Sequence, residues 1–251
     1  MKTVWKGIIS FGLVSIPVSL YSAVNSQSVK FRLLHKKDNS PVKYKRFCEE
    51  EKKEVEWTDI VKGFEILKGN FFIFSKEDLE KLKPEKTNSI EILEFIDKEQ
   101  MDSIYFNSHY FVSPQIKKEK AFYLFKTVLQ STNKVAIGKF IMREKEYTCV
   151  ISPYRAGLLL TTLNYQYEIR DISKLEELKE DVNLTEQEMK LAGTLIDQLY
   201  NPFFDISKFK DNFREQLMKL IDVKEKGELP KRKGKIKVEP NLIKALKASL
   251  K

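Results

Sequence analysis

Hydrophobic and polar positions alternate with a strand-like period through most of the first 170 residues, then switch to the helical period. Residues 4–11 and 14–23 read as two strands broken at Gly12, with Pro17 at an edge or bulge. Residues 55–67 are again strand-like, with Gly63 as a kink, and 71–74 form a short apolar strand. Ser75, followed three residues on by Asp78, is close to a capping box, and predicts a short helix stopping before Pro84. Residues 89–96 alternate apolar and acidic side chains, as a half-buried strand does. Residues 104–114 read as a hairpin turning near Asn107 and Ser108. Ala121, Leu124, Phe125, Val128 and Leu129 share one face of a helix over 117–130. Three further strands fall at 135–143, 146–152 and 157–167. Short strands at this spacing, with one or two helices, predict a β-rich barrel or sandwich.

After Asp171 the pattern becomes helical. Thr185 and Glu188 form a capping box for a helix running to about Tyr200, which Asn201-Pro202 breaks. A second helix carries Phe209, Phe213, Leu217 and Ile221 as one apolar stripe. Two partners suit that stripe, the chain's own β-body or a second subunit. Residues 224–239 are Lys-rich with Gly and Pro, a linker composition. In the last twelve residues Asn241 can cap a short helix with Leu242, Ile243, Leu246 and Leu250 on one face. So short a helix is marginal alone and suits a partner's groove.

Charge changes this picture by its distribution. The formal net charge is +9. Residues 1–46 hold nine Lys or Arg against the single acid Asp38, and residues 224–251 hold ten against three, so the stretch between is net acidic. Two basic segments flanking a mildly acidic body favour a polyanionic partner. The first is sharpest over residues 29–47, VKFRLLHKKDNSPVKYKRF, two extended arms joined at the turn-forming residues 38–41. Lys43 and Lys45 share one face of the returning arm, Lys30 and Arg32 one face of the outgoing arm, and Lys36 and Lys37 flank the turn. Such a ribbon can lie along a phosphate backbone, or simply present a solvated face.

Candidate catalytic chemistry is sparse. The two histidines, His35 and His109, lie far apart, and the two cysteines, Cys48 and Cys149, have no disulfide or zinc-ligand spacing. No phosphate-cradling glycine loop and no nucleophile elbow occur. The expectation is a protein without enzymatic activity, cofactor or metal. Gly7, Gly12 and Pro17 punctuate the N-terminal apolar run, which reads as neither signal peptide nor membrane span. A cytoplasmic protein is expected.

Several blocks then resemble one family. VWKGIISFGLVSIPVSLYSA, LLHKKDNSPVKYKRFC, DIVKGFEI, PEKTNSIEILEF, IYFNSHYFVSP, KVAIGKFIMREKEY, LNYQYEIRD and FKDNFREQL stand in the order found in prokaryotic Ku, the DNA-end-binding family of non-homologous end joining. The resemblance spans essentially the whole chain. It implies a mainly β fold with helices: a Ku-type β-barrel core over 1–172, with a bridge ribbon at about 29–56. A helical arm over 173–223 would embrace the second subunit of a homodimer, and a flexible basic tail over 224–251 would follow. It implies double-stranded DNA ends as ligand, held in a ring with no base readout, and an ATP-dependent end-joining DNA ligase as partner, with the protein on the nucleoid. Bacterial members lack the additional N-terminal domain of eukaryotic Ku, and this chain likewise starts directly at the core. Many relatives carry a second cysteine where this chain has Glu51, so no metal or redox role is expected at Cys48.

Lys30, Arg32, Lys36, Lys37, Lys43, Lys45 and Arg46 are the expected phosphate contacts of the ribbon. Lys231, Arg232, Lys233, Lys235 and Lys237 are expected to form a second, flexible contact. Leu242, Ile243, Leu246 and Leu250 are the expected ligase-facing stripe, and Phe209, Phe213, Leu217 and Ile221 that of the dimer arm. Two rivals remain open: an RNA-binding module stacking bases on Tyr44 and Phe47, and a nuclease assembled around a metal held by scattered carboxylates.

Overall fold

A computed structural model describes residues 1–84, 87–180 and 182–226. In chain order the strands are β1 (Thr3–Phe11), β2 (Val14–Ser22), β3 (Phe47–Cys48), β4 (Lys53–Glu54), β5 (Lys62–Leu67), β6 (Asn70–Phe74), β7 (Ser89–Asp97), β8 (Phe106–Pro114), β9 (Lys134–Met142), β10 (Lys145–Tyr154) and β11 (Gly157–Leu163). The helices are α1 (Lys76–Lys81), α2 (Lys120–Ser131), α3 (Glu186–Leu199) and α4 (Asn212–Lys226). Two compact units result. Among the described residues, one contains those of 1–27 and 31–170, and the other those of 28–30 and 171–226.

The first unit is built on a closed barrel in the order β1-β2-β8-β11-β10-β9-β7. Neighbouring strands pair antiparallel, except that β1 and β7 run parallel and close the barrel. The alternation read from the sequence sends Ile9, Ile16, Leu20, Ile90, Phe140, Ile151 and Leu160 inward, each almost or wholly buried. Trp5 joins the core edge-on to Phe140, and its indole N–H donates to the Ile141 carbonyl at 2.9 Å. α2 buries Phe122, Phe125 and Leu129 in the same cluster. It ends where the Thr132 N–H bonds back to Val128 and Asn133 turns left-handed (φ 53°), releasing the chain into β9.

Four local readings need correction. Residues 104–114 contain no hairpin: β8 is one continuous strand. Asn107 and Ser108 are turn formers by type, but here they serve the ladder. The Asn107 amide donates to Asn164 Oδ1 at 2.7 Å, and the Ser108 N–H donates to Thr162 Oγ1 at 3.0 Å. Residues 57–59 form a short 3₁₀ turn, so the strand expected from residue 55 begins only at Lys62. Gly63 pairs regularly with Ile73, and the irregularity lies between Glu65 and Leu67. Phe209 precedes α4, in an extended conformation that closes a 3₁₀ turn, so it does not continue the helical stripe.

In the second unit, Thr185 and Glu188 make the capping box in full. The Thr185 hydroxyl accepts from the Glu188 N–H, and the Glu188 carboxylate accepts from the Thr185 N–H. The Thr185 N–H, and then its hydroxyl, hold the Glu188 carboxyl below its ordinary pKa. Phe213 is 73% exposed, and no residue of α3 is buried.

Candidate nucleic-acid interface

Between β2 and β7 the chain leaves the barrel for more than sixty residues, beginning with the cationic ribbon. Its two arms meet at the isolated pair Leu34–Pro41. Three backbone bonds hold the tip: the Val42 N–H to Leu33 O at 3.0 Å, the His35 N–H to Ser40 O at 2.8 Å, and the Asn39 N–H to His35 O at 2.8 Å. Asn39 takes a left-handed conformation (φ 58°), which Asn tolerates better than most residues. The Asp38 carboxylate accepts from the Ser40 N–H at 3.0 Å and the Ser40 hydroxyl at 2.7 Å, and lies 3.1 Å from His35 Nδ1. Those contacts, the Ser40 N–H first, hold its carboxyl below the ordinary Asp value. The only acid of this basic stretch is thus spent on its own turn.

At the base of the ribbon, β3 and β4 pair Phe47 with Glu54 and Cys48 with Lys53. The returning arm is anchored there. Lys45 Nζ meets Glu54 Oε2 at 2.5 Å, and the Arg46 guanidinium lies over the Trp57 ring, 4.4 Å from its centroid. Lys45 and Glu54 are both largely solvated, so their ion pair is worth at most about 1 kcal/mol. A phosphate can compete for it.

Within the first unit the structure places Arg32, Lys36, Lys37, Lys43, Lys45 and Arg46 on one solvent-exposed ribbon. Among the described residues, no carboxylate lies within ion-pair distance of Arg32, Lys36, Lys37 or Lys43. Lys30 is exposed and belongs to the second unit. Phe209, Phe213, Leu217 and Ile221 also belong to that unit. Lys231, Arg232, Lys233, Lys235, Lys237, Leu242, Ile243, Leu246 and Leu250 lie outside the described residues.

Sequence reasoning missed two features. One is Trp57, 68% exposed beneath Arg46; its signal was a tryptophan in a polar stretch, which alternation alone assigns to a strand. The other is the pairing of β5 with β6, both legible as strands, into a hairpin separate from the barrel. Phe64 faces Phe72 across the ladder and Gly63 faces Ile73, yet every residue of β5 is exposed, so neither face of this ribbon is covered. An isolated two-stranded ribbon is marginal in water. Uncovered apolar surface of this kind marks an interaction site. Among the described residues, no group of three or more His, Cys, Asp or Glu is placed to hold a metal ion. No described helix is long and apolar enough to cross a membrane.

Comparison with known proteins bears on the same segments. The model of the Ku70/Ku80 beta-barrel domain matches residues 10–191. The chain is 41% identical over 251 residues to the non-homologous end joining protein Ku of Archaeoglobus fulgidus, covering all of this chain and 98% of that one. It is 38% identical over 250 residues to the protein of the same name from Lachnoclostridium phytofermentans, covering 98% of this chain and 95% of the relative. With the Bacillus subtilis protein of that name it shares 36% identity over 225 residues, 89% of this chain and 72% of the relative.

Proposed function

Because the chain belongs to the prokaryotic Ku family of non-homologous end joining proteins, we propose that it binds the ends of double-stranded DNA without sequence preference. The observation that carries this reading is the exposed ribbon, where Arg32, Lys36, Lys37 and Lys43 stand free of described carboxylates. Cations of this kind make phosphate contacts that position a duplex without reading its bases. Lys45, released from Glu54 when phosphate competes for it, and Arg46, seated over the Trp57 ring, extend the same line of charge, and Lys30 is assigned to it as well.

The active form is a ring-shaped homodimer. Support comes from the uncovered aromatic faces of β5–β6, and from Phe209, Phe213 and Ile221, all exposed in the single chain. Residues 1–172 then act as the core, with the bridge at about 29–56, and residues 173–223 as an arm around the other subunit. In residues 224–251, Lys231, Arg232, Lys233, Lys235 and Lys237 supply a second contact to DNA. Leu242, Ile243, Leu246 and Leu250 recruit the ATP-dependent end-joining ligase. The protein works in the cytoplasm, on the nucleoid.

The test is a gel shift with one DNA sequence as a linear duplex and as a covalently closed circle, without divalent metal. The linear form alone should bind, adding one complex per increment of length. Equal binding to the circle overturns end loading, and equal competition by single-stranded RNA overturns the preference for duplex.

A further inference from the structure

On the barrel, α2 and the turn between β1 and β2 enclose an apolar groove of about 420 Å³. Phe11, Val14, Phe95, Leu124 and Val128 line it, over a floor of buried Phe125 and Leu129. Phe11 and Phe125 stack at 5.1 Å, with Phe95 edge-on to both, so packing fixes the floor. The rim is open, with Leu124 61% exposed. The twelve residues of α2 make the trough about 18 Å long. Lys118 and Lys120 stand beside its start, and Lys98 and Arg155 beside its end. Among the described residues, none of these four lies within ion-pair distance of a carboxylate. Lys134 is held by Asp97 at 2.9 Å and adds no free charge. Of the other acids nearby, Glu119 precedes the helix and Glu99 accepts from Asn133 at 2.6 Å.

In the second unit, α3 carries the converse pattern. Met189, Gly193, Ile196 and Tyr200 follow at spacings of four, three and four residues, one line along a helix. Met189, Ile196 and Tyr200 are exposed, Ile196 at 67%. Glu186 and Asp197 flank that line on one side, and eleven helical residues separate them by about 16 Å. Lys190 falls between the two, so the acids mark the ends. Gly193 is the odd member. Glycine inside a helix is disfavoured against alanine, yet a Cβ at Gly193 would meet nothing within 4 Å. Among the described residues no neighbour demands it. A helix laid across α3 from outside would, because glycine lets two backbones approach closely.

The geometry points to this groove as the seat of α3 from a second copy of the chain. Met189 and Ile196 enter the trough, and Glu186 and Asp197 meet the cations at its two ends. This rests on the homodimer reading and deepens it, by naming which helix of the arm meets which surface. Within one chain both surfaces stand exposed. Charge and shape separate α3 from the chain's other exposed apolar segments. α4 holds four Lys or Arg against three acids, and residues 240–251 hold Lys244, Lys247 and Lys251 with no acid, so both would oppose cation to cation. The β5–β6 hairpin, with Lys62 and Lys68 against Glu65, is cationic too. The stretch at 172–184 breaks at Leu175 (ψ 111°), and Phe203, Phe204 and Ile206 lie in a segment whose one helical turn is 3₁₀, so neither offers a straight stripe. α3 alone among them is a net acidic helix, with Glu186, Glu188 and Asp197 against Lys190. Anchors at such spacing, laid into an apolar groove, are a standard mode of helix recognition.

The test is cysteine cross-linking in the full chain with Cys48→Ser throughout, alongside light scattering of the unmodified protein. Leu124→Cys or Val128→Cys is combined in one chain with Met189→Cys or Ile196→Cys, four pairings in all, and mild oxidation is read on a denaturing gel. At least one pairing should give a covalent dimer. Glu186→Lys with Asp197→Lys should slow that cross-link about tenfold at low salt. Adding Lys98→Glu, Lys118→Glu, Lys120→Glu and Arg155→Glu should restore it, which a merely structural role of these side chains would not do. Gly193→Leu should also slow it about tenfold or more, by holding the two helices apart; an unchanged rate overturns the assignment. A fast-migrating internally linked monomer in place of the dimer gives the groove to the same chain's α3 and overturns it as well. A dimer by light scattering with no cross-link in any pairing overturns this contact and leaves the homodimer standing. A monomer by light scattering overturns both.

Discussion

The guanidinium carbon of Arg46 lies 4.4 Å from the centroid of the Trp57 ring, tying the returning arm of the ribbon to the far side of the β3–β4 turn. The ring is mostly solvated, so it acts as a platform and not as core. An exposed cation–π contact contributes about 0.5–1 kcal/mol. Trp57→Leu should therefore weaken linear-duplex binding only about two- to fivefold and leave the salt dependence unaltered, since no phosphate contact is deleted. Arg46→Gln should reduce the log–log salt slope by about 0.9. Affinity titrations across a chloride series distinguish the two, and a changed slope in Trp57→Leu refutes the platform role.

Lys43 and Lys45 are two residues apart but unlike in state, because only Lys45 is held by Glu54. Lys43→Ala should cost one full phosphate contact, about 0.9 in slope. Lys45→Ala should cost less affinity, because DNA must first displace Glu54. Glu54→Gln should tighten binding by freeing that cation. Weaker binding by Glu54→Gln would mean that the pair orients Lys45 instead of competing for it.

Barrel stability has a sharp test at Gly138. A Cβ added there would stand 2.5 Å from the Glu91 carbonyl oxygen on β7 and 3.1 Å from the Ile92 side chain. Gly138→Ala should destabilise the protein by about 1–3 kcal/mol, read as a lower urea midpoint. At Gly12 a Cβ meets open space, and only the left-handed φ of 55° opposes it. Gly12→Ala should cost about 1 kcal/mol. Equal midpoints for the two would show that β7 and β9 separate easily.

The two thiols should differ in reactivity. Burial pushes Cys149 up to about 12, so at pH 8 its thiolate is scarce as well as shielded, while Cys48 is partly exposed at the β3–β4 turn. A thiol-specific reagent at pH 8 should label one cysteine in the native protein and both in denaturant. Mass mapping should place the native label on Cys48. Native labelling of Cys149 would show that the barrel opens between β9, β10 and β11.

Much of the fold was legible because its signals are local. The capping residues Ser75 and Thr185, the stripe of α2 and the alternation in β1, β2, β9 and β10 each lie within one element. Barrel closure was not, since β1 finds β7 across some eighty residues. Asn107 and Ser108 misled because the Asn107 side chain and the Ser108 backbone N–H bond to Asn164 and Thr162, more than fifty residues away, where a turn would have kept those bonds local. At the candidate interface, the cations and their turn could be read from composition and spacing. Their states could not: Lys45 and Arg46 differ from Lys43 only through Glu54 and Trp57, brought close by a two-residue ladder too short to leave a pattern.

The parallel pairing of β1 with β7 has a consequence for how the chain can be cut. β1 is flanked by β2 and β7, the strands that bound the excursion over residues 23–88. Every ladder of the barrel therefore joins strands outside that excursion, and among the described residues its backbone adds to them only at its two ends, where the Ala23 N–H donates to His109 O and Asn88 O accepts from the Ile8 N–H. A protease nick there would leave two polypeptides stitched together by the β1–β7 and β2–β8 hydrogen bonds. The molecule is in this respect a scaffold with a replaceable insert, in which the segment proposed to face DNA can be lengthened, trimmed or exchanged without renegotiating the core.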